Sequence, residues 1–88
     1  MDAPRRADLA FYRSIPFLLV VESVERDGRW RRRAAHPELP GCAAEADSAL
    51  EAIEGLACER ERLLEERWRR GEEIPVPRAP LRSEPRSA

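Results

Sequence analysis

Apolar and polar positions follow different rhythms along the chain, and each rhythm predicts an element. After a polar start, residues 14–24 read Ser-Ile-Pro-Phe-Leu-Leu-Val-Val-Glu-Ser-Val. Bulky and β-branched residues dominate, which predicts a strand over residues 17–25 with Pro16 at its start. Asp27-Gly28 then marks a two-residue hairpin turn. A second strand is predicted over residues 29–36. Period two places Trp30, Arg32 and Ala34 on one face and Arg31, Arg33 and Ala35 on the other. Neither face is apolar throughout, which predicts an exposed strand of edge character. His36-Pro37-Glu38-Leu39-Pro40-Gly41-Cys42 forces an irregular turn, and residues 42–45 form a short third strand.

From residue 48 the period changes to that of a helix. Apolar residues recur at Leu50, Ile53, Leu56, Ala57, Leu63, Leu64 and Trp68. Ser48 and Glu51 form a capping box. Arg67, Arg69 and Arg70 close the last turn, where basic residues complement the helix dipole, and Gly71 follows as a stop. The predicted helix, residues 48–70, is about 33 Å long at 1.5 Å per residue. Gly55 inside it costs about 1 kcal/mol relative to Ala, which close packing on the sheet would explain. The fold class expected is therefore α+β, an antiparallel three-stranded sheet with one long helix on one face. Residues 1–13 read as a flexible lead-in, 14–77 as the domain, and 78–88 as a disordered Arg/Pro tail.

Composition narrows the function classes. The 88 residues carry 16 basic and 17 acidic side chains, net −1, and every basic residue is Arg. A uniformly basic nucleic-acid coat is excluded. The balance conceals a segregation: +3 over residues 1–33, −7 over 34–66 and +3 over 67–88. The longest apolar run, Phe17–Val21, falls far short of the roughly 20 residues of a membrane span. With no secretory leader, the expected location is cytoplasmic. Two cysteines, Cys42 and Cys58, make no disulfide framework.

Candidate chemistry is sparse. His36, Cys42 and Cys58 lack the paired spacing of a structural zinc site. Glu22, Asp47 and Glu51 are carboxylates without a convergent motif, and no nucleophile stands in a recognisable constellation. No catalysis, metal or cofactor is expected. Arg29, Arg31, Arg32 and Arg33 around Trp30 form a basic cluster with an aromatic, the one feature pointing to single-stranded RNA. The acidic segment that follows argues against direct nucleic-acid binding.

One ordered set of motifs remains. Pro37-Glu38-Leu39-Pro40-Gly41-Cys42 is followed by Ala44-Glu45-Ala46-Asp47-Ser48, then by Leu50-Glu51-Ala52-Ile53, and after the helix by Gly71 and Ile74-Pro75-Val76-Pro77. Upstream stand a strand, Asp27-Gly28 and Trp30. Over residues 14–77 this order resembles the HicB-like antitoxin domain, whose pattern has P-x-L-P-G-C, then G-D-[ST]-x-x-E-A opening a helix, then G-x-x-I-P-x-P. Ala46 stands where that pattern has Gly. The resemblance implies a partial RNase H-like fold lacking the catalytic carboxylates. It also implies a partner, a small basic HicA-type mRNA interferase whose active site the domain covers. Gly28, Pro37, Pro40, Gly41, Ser48 and Glu51 are the expected structural motif. Glu38, Glu45, Asp47 and Glu54 are the expected contacts to a basic partner, since complementary charge steers encounter. A homo-oligomer is expected from the open sheet edge. The pattern's last strand and DNA-binding domain have no counterpart in the 88 residues, so autoregulation is not expected. An orphan oligomer of the same fold, or an Arg-dependent RNA binder, are the other readings.

Overall fold

The computed structural model describes residues 8–76, in the order α1 (Leu9–Arg13), β1 (Val20–Arg26), β2 (Arg29–Ala35), β3 (Ala43–Ala46) and α2 (Ala49–Arg70). The tail expected over residues 78–88, and the first seven residues of the lead-in, lie outside the described residues. The three strands form one antiparallel sheet in the order β1-β2-β3, with α2 packed on β3 and β2. The α+β architecture read from the chain is the one observed.

The β1–β2 hairpin closes on Asp27 and Gly28, both at positive φ (53° and 76°). That is the two-residue turn whose twist matches flanking strands, and Gly28 adopts it without steric cost. Strand β2 is the central strand, not an edge. Its arginines are accommodated because both neighbours supply acids: Arg33 pairs with Glu22 of β1, and Arg29 and Arg31 pair with Asp47 just beyond β3. Its last two residues, Ala34 and Ala35, are buried.

The core joins Phe17, Ala34, Leu39, Cys42, Ala52, Leu56, Leu64 and Ile74. Helix α2 starts where the Ser48 hydroxyl accepts the Glu51 N–H (3.2 Å) and bonds the Glu51 carboxylate (3.0 Å). It ends with Glu72 N–H bonded to the Arg67 carbonyl and Gly71 N–H to the Trp68 carbonyl, the paired bonds of a Schellman stop. A Cβ on Gly55 would stand 3.3 Å from the Ala44 Cβ of β3. The small pair lets helix and sheet approach closely. Beyond α2, Ile74 turns back into the core.

Strands β2 and β3 differ by a residue from the expected 29–36 and 42–45, and two larger differences have physical causes. Residues 9–13, read as part of a flexible lead-in, form the short helix α1. Asp8 caps it by accepting the Phe11 N–H (2.9 Å), Leu9 and Tyr12 pack against the core, and Arg13 pairs with Glu61 of α2. Strand β1 begins at Val20 rather than Phe17, because Pro37 ends β2 opposite it.

Candidate functional site

The β2–β3 connection is two successive turns. The N–H of Leu39 donates to the His36 carbonyl (2.9 Å) and that of Cys42 to the Leu39 carbonyl (3.0 Å). His36 N–H closes the loop on the Cys42 carbonyl (3.1 Å). Pro37 and Pro40 each take the second position of a turn, and Gly41 takes the third at φ +83°, the requirement of a type II turn. Leu39 and Cys42 are thereby turned into the core. The Pro40 carbonyl is turned outward, where the Arg67 guanidinium donates to it.

The β1–β2 register, continued two pairs beyond Val20–Ala35, brings Leu18 near Pro37, which has no N–H to give. Two side chains replace the missing backbone partner. His36 Nδ1 bonds the Leu18 carbonyl (2.8 Å), and the Glu38 carboxylate accepts the Leu18 N–H (2.6 Å). Arg60 of α2 donates to His36 Nε2 (2.9 Å). Since Nε2 accepts, Nδ1 carries the hydrogen. His36 is 5% exposed, so this bridge from sheet to helix is shielded from water. Burial also pushes the neighbouring Cys42 thiol up from its ordinary value.

The four acids expected to meet a partner do not gather. Glu38 is held in the loop by Leu18. Glu45 and Asp47 lie on the sheet face away from α2: Glu45 pairs with Arg26 (3.0 Å), and Asp47 with Arg29 (2.8 Å) and Arg31 (3.0 Å). Glu54 is exposed on α2, one turn beyond Leu50. The arginines of the basic cluster are likewise engaged, the fourth, Arg32, donating to the Ser23 hydroxyl. Among the described residues no three His, Cys, Asp or Glu side chains are grouped to hold a metal ion. Among the described residues no helix is long and apolar enough to cross a membrane.

What the structure does present is uncovered apolar surface. Trp30 is 71% exposed, Leu50 66%, Leu18 55% and Leu19 45%. Leu50 fits the helical period read from the sequence, yet it lies on the other side of α2 from buried Ala52, where the sheet does not cover it. Arg60 and Arg67 escaped the sequence reading because their partners, a histidine ring and a turn carbonyl, are set by tertiary approach. Along the outer side of α2, Arg62 bonds Glu59 and holds that carboxyl below the usual carboxylate range.

Comparison with protein-family models, with curated proteins and with solved structures finds no match for this chain.

Proposed function

We propose that the chain is a non-catalytic protein-binding module, an antitoxin of the HicB-like kind, that neutralises a small basic mRNA interferase of the HicA type by covering its active site. The observation that carries this reading is the agreement of motif order with element order. Pro37–Cys42 lies in the β2–β3 connection, Asp47-Ser48 opens the long helix, and Ile74 folds back after its Gly71 stop. Occlusion of a partner needs an accessible apolar anchor with charge around it. Trp30 and Leu50 are large and exposed, and Glu54 lies on the same face of α2 as Leu50. Glu45 and Asp47 would join a basic partner by exchanging their own arginines for its cations. The RNA reading is disfavoured because Arg29, Arg31 and Arg33 already bond acids of this chain.

The test is a search of the adjacent reading frames for a small basic protein, followed by co-expression with the one found. The expected result is restored growth and a complex that purifies intact. Trp30→Ala should weaken that complex by roughly 2 kcal/mol, a hot-spot loss of about thirtyfold in affinity. Continued growth arrest with no complex would sink the reading.

A further inference from the structure

Strand β1 bonds β2 on one side and no other strand among the described residues on its far side. The two-residue turn makes Arg26 and Arg29 a hydrogen-bonded pair, so the backbone groups of Val20, Glu22, Val24 and Arg26 are aimed at β2. Those of Val21, Ser23 and Glu25 therefore point outward along the edge. Natural edges are usually blunted by proline, a bulge or charged side chains, lysine above all. Val20–Arg26 has an unbroken register and neither proline nor lysine, and only Val24 is half-buried.

The charge order along this edge is self-complementary. On the face away from α2 it reads Glu22, Val24, Arg26, acid then apolar then base. Two copies run antiparallel about a two-fold axis at Val24 set each Glu22 opposite the other copy's Arg26, and Val24 opposite Val24. Within one chain the cross-strand row Glu45, Arg33, Glu22 alternates in sign, and the second copy's Arg26 continues the alternation. On the other face Ser23 comes opposite Glu25, whose carboxylate accepts a hydroxyl hydrogen bond. Moving the axis to Glu22 sets acid against acid. Moving it to Ser23 sets Glu22 against Val24 and Arg26 against Val20, so the second copy adds no opposite charge to the pairs each makes within its own chain. Opposite charges directly across a strand pair stabilise it, and like charges destabilise it.

We propose that a second copy of this chain pairs antiparallel along β1 about a two-fold axis at Val24. The product is a continuous six-stranded sheet carrying both long helices on one face. Exposed Val20 and Val21 then lie beside the other copy's Asp27–Gly28 turn. The proposal does not rest on the antitoxin reading: a toxin complex containing a strictly monomeric chain would leave that reading standing and overturn this one.

The experiment is sedimentation of the full chain across concentration, combined with cysteine cross-linking in a Cys58→Ser background. The expected result is a concentration-dependent dimer. Val24→Cys should close it covalently under mild oxidation, because a non-hydrogen-bonded antiparallel pair sets its Cα atoms about 4.5 Å apart, within disulfide reach. Val20→Cys, which stands opposite Gly28, should not. Val24→Lys places two cations on the axis and should raise the dissociation constant at least tenfold. Ser23→Pro removes an outward N–H while sparing the bonds to β2. It should keep its circular dichroism spectrum and lose the dimer. A chain that stays monomeric at millimolar concentration overturns the proposal. So does a dimer that cross-links at residue 20 rather than 24, or one that survives in a folded Ser23→Pro chain.

Discussion

His36 acts as backbone by proxy. Pro37 interrupts the ladder, and the imidazole with the Glu38 carboxylate carries it two residues further, to Leu18. Removing the ring in His36→Ala leaves the Leu18 carbonyl and the Arg60 guanidinium without this partner and opens a cavity. Urea unfolding should show a loss of about 2–4 kcal/mol. The two cysteines should differ sharply in reactivity. Cys42 is buried and burial raises its thiol pKa, whereas Cys58 is exposed. A thiol-specific reagent at pH 8 should therefore titrate one thiol in the native chain and two after denaturation, with Cys58→Ser silent when folded. A thiol pKa higher in the folded than in the unfolded state stabilises the fold fully below the ordinary value of 9.0. That contribution is lost as pH climbs through the raised value.

Local signals decide how well an element can be read. Helix α2 was legible to within a residue because its determinants lie within its own length: Ser48 and Glu51 at one end, Gly71 at the other. Ser48→Ala should cost about 1 kcal/mol in thermal or urea unfolding. Gly55 is a different case, since its role depends on Ala44 of β3. Gly55→Leu should overpack that contact and destabilise by about 1–3 kcal/mol despite its better helix propensity. Strand β2 was misread as an edge for the same reason in reverse. Four arginines in seven residues look like a strand that repels neighbours, until Glu22 and Asp47 arrive from elsewhere in the chain. Helix α1 is one turn long, and its cap Asp8 and the Leu9–Tyr12 spacing are too brief a pattern to stand out against a polar lead-in.

At the scale of the molecule, the segregated charge of the sequence is folded back on itself. The acidic middle meets the basic flank across the open sheet face, through Arg26–Glu45, Arg29–Asp47 and Arg31–Asp47, while Arg33–Glu22 pairs within the basic flank. These pairs are solvent-accessible, so each contributes at most about 1 kcal/mol. Their larger effect is to lower the charge offered to any partner. This is why the candidate site was only partly legible: charge can be counted from residues, but whether it is already neutralised depends on the register. Leu50 looks in sequence like a member of the helical core stripe and becomes a candidate only when the fold leaves it outside, whereas Trp30 stands out already in the sequence, within its basic cluster.

The proposed occlusion of a ribonuclease is checked most directly by titrating this chain into an RNA cleavage assay of a small basic interferase of the HicA type. Cleavage should fall linearly and reach zero at a fixed molar ratio, with Trp30→Ala requiring a large excess to do the same. Cleavage that continues unchanged in the presence of excess chain would contradict the account.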